Sequence, residues 1–508
     1  MFRSTATFTP SATPALGADA VAEQVRRDAV SRASQPGYQW WLTHVMSAAA
    51  CSNPVRLRLT ATWHSENRPA EIDRVTDGMP DGVVYVACKN RRATVCPACA
   101  ETYRADTYQL VKAGLVGGKG VPDTVTGHPC FFVTLTAPAF GPVHTRVVGS
   151  NGRVRPCRAR RLGTVCEHGR QVVCLQRHSE DDSRLGEAIC RDCYDYQHQA
   201  VWNLHAGELW RRTTIGLNRK LRQAGADRGV KVRLSYAKVA EYQRRGVVHF
   251  HALVRLDGYD PDDRDRIFAP DLSITPELLR SYLEHAATVT QFTTAPHPRN
   301  RLGWVIRWGK QVDIRSVRLA PTDCDDRGTL TTTAVAAYLA KYATKATEQA
   351  GHVSRRLTAA SAAFYGEQDT HQARQLTACW RLGQRPFYRD TKAEREDWAE
   401  SWGKLQKWAH MLGFGGHFST KSRRYSTTLT ALRAVRKAYQ RGEPPEHPDS
   451  TPADRDLTGD DAAVTLTWLF DGVGWLTIGD AALANTAAAK ARERRQIAKE
   501  ETQAAIAK

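Results

Sequence analysis

Apolar positions along the chain predict a β-hairpin near its centre. Residues 231–243 and 247–256 are rich in Val, Leu and Tyr, and the three residues between them are Arg, Arg and Gly. A three-residue hairpin loop commonly ends with Gly in the left-handed conformation, which suits Gly246. The two segments are therefore predicted to pair as antiparallel strands.

Hydrophobic periodicity also marks further helices and strands. Helices are predicted at residues 101–113, 196–223, 334–346 and 485–508, the last charged, Ala-rich and either solvated or partner-facing. Strands are predicted at residues 130–138 and 304–315.

The hairpin brings chemistry to one face of its sheet. If Gln243 faces Val247, antiparallel pairing puts Glu241 opposite His249 on the same face, and His251 joins them because strand side chains repeat every two residues. One carboxylate and two imidazoles leave open positions on Mg²⁺ or Mn²⁺ for a phosphate oxygen and water. The alternative is an ordinary strand with two satisfied histidines.

Two tyrosines share a face of the predicted helix 334–346. Tyr338 and Tyr342 are four residues apart, as are Lys341 and Lys345, so each pair stands side by side. A phenol with a pKa of ~10 is a poor nucleophile at neutral pH. A divalent ion that polarises a phosphate, aided by nearby ammonium groups, offsets this. The alternative is that both phenols simply pack on a sheet with their hydroxyls at its rim.

The cysteines are grouped, and Cys-x-x-Cys pairs in a cytoplasmic protein indicate structural zinc rather than disulfides. The first group supplies three thiolates, from Cys88, Cys96 and Cys99. His128 or Cys130 is a guess for the fourth ligand. The second group consists of Cys166, Cys174, Cys190 and Cys193, which we favour as the ligands of one zinc ion. Cys157, His168 or His178 could substitute for one of them or help to bind another ion. A redox dithiol is the alternative.

Composition favours a polyanionic partner. The chain of 508 residues has 72 Lys and Arg against 53 Asp and Glu, a formal charge of +19. No apolar run approaches the ~20 residues of a membrane span, and residues 1–20 lack a signal-peptide core, so we expect a cytoplasmic protein. No phosphate-binding loop of an ATP-driven motor is present.

A glycine-rich basic segment at residues 413–425 suits close approach to a DNA backbone, through Lys421, Arg423 and Arg424. A solvated basic loop is the alternative.

Three motifs in this order resemble those of HUH endonucleases, which include rolling-circle replication initiators, relaxases and related transposases. They are the strand residues 132–138, the sequence His249-Phe-His251, and the sequence Tyr338-Leu-Ala-Lys341-Tyr342. The wider context is similar to two-tyrosine initiators of actinomycete plasmids and integrative elements, over roughly residues 80–435. The motifs are specific in combination and weak singly.

The resemblance implies an α+β nuclease with a central antiparallel sheet flanked by helices. It also implies an enzyme that nicks origin DNA, single-stranded or supercoiled, leaving a 5′-phosphotyrosine and a free 3′-hydroxyl, with a host helicase and polymerase as partners. We expect a disordered stretch at residues 1–37 and an N-terminal region with the first cysteine group at 38–127. The nuclease follows at 128–347, with a zinc-binding insertion at about 150–195. A basic DNA-binding region at 348–445 and an accessory segment at 446–508 complete the expected organisation.

Two other functions stay open. A transposase with the same chemistry would act on the ends of a mobile element. A zinc-dependent DNA-binding regulator would bind DNA without cutting it, with the hairpin and the tyrosines as parts of its core.

Overall fold

The computed structural model describes residues 18–65, 68–159, 165–318, 330–344, 355–386, 391–440 and 463–506. Two compact units divide the chain, one from Met1–Tyr103 and Pro452–Lys508, the other from Arg104–Thr451. We call them the terminal unit and the central unit.

The described helices are α1 (Ala18–Ala33), α2 (Tyr38–Val45), α3 (Pro97–Val116), α4 (Tyr196–Ala226), α5 (Pro276–Val289), α6 (Thr332–Ala343), α7 (Ala359–Gly366), α8 (His371–Gly383), α9 (Lys392–Glu400), α10 (Gly403–Lys407), α11 (Leu429–Gln440) and α12 (Ile478–Ile506). The described strands are β1 (Val55–Ser65), β2 (Arg68–Asp73), β3 (Val84–Val86), β4 (Cys130–Leu135), β5 (Val147–Val148), β6 (Val154–Arg155), β7 (Val232–Tyr242), β8 (Val248–Gly258), β9 (Gln291–Thr293), β10 (Val305–Arg307), β11 (Val312–Arg318), β12 (Leu330–Thr331), β13 (Ser419–Lys421) and β14 (Ala463–Val473). Among the described helices, none is long and apolar enough to cross a membrane.

The terminal unit joins the two ends of the chain. Strand β1 pairs antiparallel with β14, β2 and β3, and α12 packs against α1. The Arg32 guanidinium of α1 donates to the buried carboxylate of Asp480, 2.7 Å away, and lies over the ring of Trp41. Residues 18–33, which were expected to be disordered, are therefore helical, because they have a partner at the other end of the chain. Residues 1–17 lie outside the described residues.

The central unit is built on a sheet with the strand order β12-β11-β4-β8-β7-β13. Its pairings are antiparallel except for β11 with β12. Helix α4 covers one face, where Trp210 meets Phe250 edge-on, and α6 contacts β7 from the other. Mixed helices and antiparallel sheets confirm the expected α+β class.

The hairpin of β7 and β8 has the predicted register. Glu241 lies opposite His249, and the Gln243 amide donates to the Val247 carbonyl at 2.9 Å. Gly246 closes the loop with a φ of 74°, a conformation that favours glycine.

Two predicted segments differ from the structure. Residues 304–315 form two strands, β10 and β11, rather than one. The chain turns between them because the Gly309 amide donates to the Thr136 carbonyl, and Gly309 packs so closely on Ala137 that a Cβ would lie 2.5 Å from its carbonyl oxygen. The expected separate region 348–445 shares the core of the central unit, to which it contributes Leu376, Leu405 and Phe414.

Candidate metal and tyrosine site

Three side chains of the β7–β8 hairpin converge into what we call the hairpin cluster: Glu241, His249 and His251. Glu241 Oε2 lies 3.0 Å from His249 Nε2 and 3.2 Å from His251 Nε2. Two ligands at adjacent corners of an octahedron around Mg²⁺ stand ~3.0 Å apart, since each lies ~2.1 Å from the ion. The spacing and the donor set therefore fit a divalent cation.

The electrostatics of the hairpin cluster favour the protonation states of metal ligands. Burial alone would raise the pKa of Glu241, but hydrogen bonds and charge from His249 and His251 outweigh it and lower that pKa to about 2. Burial lowers the pKa of His251 although Glu241 lies beside it. An ionised carboxylate thus faces a neutral imidazole, and a cation between them would satisfy both.

Strand β4 orients His251 from behind. Thr134 lies opposite His251 in the sheet, and its hydroxyl is 3.0 Å from His251 Nδ1. Donation from Nδ1–H to this hydroxyl leaves the lone pair of Nε2 directed at the cluster. The Phe132 ring stacks on His251 with an interplanar angle of 11°.

Helix α6 places the two predicted tyrosines beside the hairpin cluster. Tyr338 Oη lies 3.1 Å from His251 Nε2, and the rings of Tyr338 and Tyr342 are 4.4 Å apart between centroids. Burial, reinforced by the charge of Glu241, raises the pKa of both phenols. Both are therefore protonated at neutral pH.

The predicted lysines of α6 are less closely placed. Lys341 is exposed, and its ammonium lies 5.9 Å from the centroid of the Tyr342 ring. Lys345 lies outside the described residues.

The three basic residues predicted to bind DNA already have partners within the protein. The Lys421 ammonium donates to the Ser426 carbonyl at 2.7 Å, while Arg423 and Arg424 both pair with Asp265. Their role in DNA binding stays a prediction, with part of their charge already neutralised.

A four-thiolate cluster lies in the terminal unit: Cys51, Cys88, Cys96 and Cys99. The Sγ atoms of Cys88 and Cys99 are 3.7 Å apart, and those of Cys51 and Cys96 are 3.9 Å apart. Thiolates on tetrahedral zinc stand ~3.8 Å apart because each Zn–S bond is ~2.3 Å long. The residues fit structural zinc.

Cys51 supplies the fourth thiol of this cluster, and sequence reasoning missed it. Neither of the residues considered for this place takes it, since His128 pairs with Asp257 and Cys130 starts β4. The signal that could have identified it was the lack of a fourth thiolate in the first group, since Cys51 is a cysteine upstream of that group with no assigned role.

The second cysteine group divides into two clusters in the central unit. The two-histidine cluster is His144, Cys157, Cys174 and His178; the one-histidine cluster is Cys166, His168, Cys190 and Cys193. The expected set is thus wrong in placing Cys174 beside Cys166, because Cys174 Sγ lies 3.5 Å from His178 Nε2 instead. His144, absent from the prediction, lies 3.2 Å from the same nitrogen.

A carboxylate orients one member of the two-histidine cluster, and the members of the one-histidine cluster lie within contact distance of one another. The Asp182 carboxylate lies 2.7 Å from His178 Nδ1, the arrangement that directs Nε2 of a zinc ligand at its ion. In the one-histidine cluster, His168 Nδ1 lies 3.2 Å from Cys193 Sγ. Both donor sets fit closed structural zinc sites.

Comparison with known proteins places the chain in a family. The family model described as replication initiator protein, pSAM2, matches residues 37–489. A replication initiator protein of Streptomyces ambofaciens is 37% identical over 481 residues, which cover 93% of this chain and 95% of that protein. No solved structure matches. The chain therefore belongs to the pSAM2-type replication initiator family.

Proposed function

We propose that this replication initiator nicks one strand of its origin DNA by tyrosine attack at the hairpin cluster. The observation that carries the proposal is the 3.1 Å distance between Tyr338 Oη and His251 Nε2, in a cluster with the donor set of a divalent ion. Tyr338 is the proposed first nucleophile, and Tyr342, whose ring centroid lies 4.4 Å from that of Tyr338, is the proposed second.

The proposed reaction is a transesterification. A bond forms between tyrosine Oη and phosphorus as the bond from phosphorus to the 3′ oxygen breaks. The phenolic proton passes to solvent and the 3′ oxygen leaves protonated, so neither an oxidant nor a nucleotide is consumed. Mg²⁺ or Mn²⁺ held by Glu241, His249 and His251 would polarise the scissile phosphate.

The products suit replication. The 5′ end stays on the enzyme as a phosphotyrosine, and the free 3′-hydroxyl primes synthesis by a host polymerase. The second tyrosine cuts the regenerated site after one round, while the released 3′-hydroxyl resolves the first adduct. A host helicase or supercoiling opens the strands, since the sequence contains no phosphate-binding loop of an ATP-driven motor.

The test is covalent adduct formation. Wild type and the variants Tyr338→Phe, Tyr342→Phe and the double variant are incubated with Mn²⁺ and DNA flanking the gene, as single strands and as supercoiled plasmid. Denaturing gels detect the adduct, and peptide mass spectrometry locates it. We expect Tyr338→Phe to lose most of the first adduct and the double variant to lose all of it.

The matched control is Tyr259→Phe, which removes a phenol of the central unit away from α6 and should leave the adduct unchanged. An active double variant would contradict the proposal. DNA binding by wild type without any adduct would favour the regulator, and cutting only at the ends of a mobile element would favour the transposase.

A further inference from the structure

We infer that a basic cleft beside the hairpin cluster binds single-stranded DNA next to the scissile phosphate. The cleft encloses about 900 Å³. Its walls are the loop of the hairpin, the chain just beyond β4 and the turn between β10 and β11. The remaining wall comes from residues 180–186, in the cysteine-rich segment that we call the insertion. The position of the scissile phosphate rests on the proposed function, whereas binding of the strand does not.

The cleft lies just beyond the strand ends that carry the hairpin cluster. Thr136 and Gln243 line it, and they lie two residues beyond Thr134 and Glu241 respectively. Residues two apart along an extended chain are separated by ~7 Å. A DNA strand whose phosphate sits at the cluster can therefore continue directly into the cleft.

Three cations project into the cleft without a carboxylate partner among the described residues: Arg146, Arg307 and Lys310. All three are exposed, and Glu180 is the single acidic residue among the described ones that line the cleft. Such a set attracts a polyanion and has no internal ion pairs to break first.

Two further arginines build the wall rather than fill it. Arg244 donates to the carbonyl oxygens of Glu180 and Asp182, and Arg245 donates to those of Ala137 and Pro138. The hairpin loop is thereby fastened to the insertion on one side and to the end of β4 on the other.

The two-histidine cluster holds the insertion side of the cleft in place. Its ligand His144 lines the cleft and is bonded through its backbone to Gly186 and Glu187. Gly186 approaches the hairpin loop so closely that a Cβ would lie 2.4 Å from the backbone of Arg244. Zinc there would fix a wall of the DNA site.

The shape and chemistry of the cleft favour the backbone of a single strand. Its volume is that of a site for one drug-sized ligand, ~300–1,000 Å³, on the scale of a few nucleotides at most. A duplex is far larger, with a major groove alone ~12 Å wide. Trp308 offers no open ring for base stacking, because it is buried with its indole N–H bonded to Thr213. Binding should be independent of sequence.

Fluorescein-labelled oligo(dT) tests the inference by anisotropy at several salt concentrations without added divalent ions. The triple variant Arg146→Ala, Arg307→Ala, Lys310→Ala should bind at least tenfold more weakly. Its slope of log K against log salt should fall by ~2, since each lost phosphate contact on a single strand removes ~0.7.

Two matched variants separate site from bulk charge. Arg219→Ala, Lys220→Ala, Arg222→Ala removes three exposed cations from α4, on the opposite face of the sheet, and should leave the salt slope unchanged. A charge-preserving triple variant of the cleft, Arg146→Lys, Arg307→Lys, Lys310→Arg, should bind like wild type.

The inference is overturned if the cleft variant binds no more weakly than the α4 variant, or if duplex DNA competes as well as the single strand. Adduct formation is scored separately. Weakened oligo(dT) binding with no wild-type adduct keeps the cleft and removes the nicking proposal. A normal adduct with unchanged oligo(dT) binding does the reverse.

Discussion

The metal affinity of the hairpin cluster should depend on one hydroxyl group, that of Thr134. It is the hydrogen-bond partner of His251 Nδ1, at 3.0 Å. Without it, His251 loses the contact that fixes its ring and tautomer. We expect Thr134→Val to weaken Mn²⁺ binding ~10–100-fold, the usual effect of removing such a partner. Electron paramagnetic resonance titration of Mn²⁺ measures the change.

The matched variant is Thr134→Ser, which keeps the hydroxyl and should keep the affinity within a few fold. Equal Mn²⁺ affinity in wild type and Thr134→Val would show that the hydroxyl does not orient the ligand.

Lys238 is a buried amine whose burial should cost stability at any pH below 10.5, and most of all below about 7. Its ammonium lies 3.8 Å from the centroid of the Phe250 ring, and burial lowers its pKa to about 7. Between that value and the 10.5 of an unburied lysine, the unfolded chain binds the proton and the folded chain does not. Stability therefore rises with pH across this window, and below it the whole penalty remains.

We expect Lys238→Met to stabilise the central unit by ~3 kcal/mol at pH 6.5, with a smaller gain at pH 9. Urea unfolding followed by tryptophan fluorescence measures both values. Lys231→Met, at an exposed position, serves as the control and should change neither. A gain at pH 9 equal to that at pH 6.5 would contradict the burial argument.

The hairpin loop is the element whose geometry carries the hairpin cluster. Gly246 has a φ of 74°, and a Cβ there would lie 2.5 Å from Gln375 Nε2. Gly246→Ala should therefore add a clash to the ~1 kcal/mol of left-handed strain, for a total of ~2–3 kcal/mol in the free energy of unfolding.

Gly229→Ala is the matched control for Gly246→Ala. Gly229 has nearly the same φ, 70°, but nothing within 4 Å of its would-be Cβ, so its substitution carries the strain alone. Equal losses in urea unfolding would mean that the loop accommodates the methyl group, and that the hairpin is less tightly held than its contacts indicate.

Elements set by neighbouring residues were predictable, whereas those set by distant ones were not. The register of β7 and β8 follows from a short loop and a two-residue repeat, so Glu241 and His249 could be paired from sequence. The break between β10 and β11 depends on Thr136, which lies far upstream. Cys51 joins its cluster across 37 residues, and no local pattern marks it.

At the scale of the whole molecule, the terminal unit shows the same limit. Val55 pairs with Val473, and α1 packs against α12. Periodicity revealed a terminal helix, but neither α1 nor the partnership of the chain ends, because contacts so far apart leave no spacing rule in the sequence.

The three closed clusters found among the described residues predict how much zinc the protein holds. After the open hairpin cluster has been exchanged against excess Mg²⁺, elemental mass spectrometry should find three zinc ions per chain. Cys51→Ala should hold one fewer, because a closed site that loses one of four ligands binds its ion far more weakly. Cys130→Ala removes the thiol that sequence reasoning had considered as the rival ligand, and it should keep all three. Loss of zinc from Cys130→Ala with none from Cys51→Ala would contradict the assignment. Equal retention in both would mean that three thiolates are enough to hold the ion.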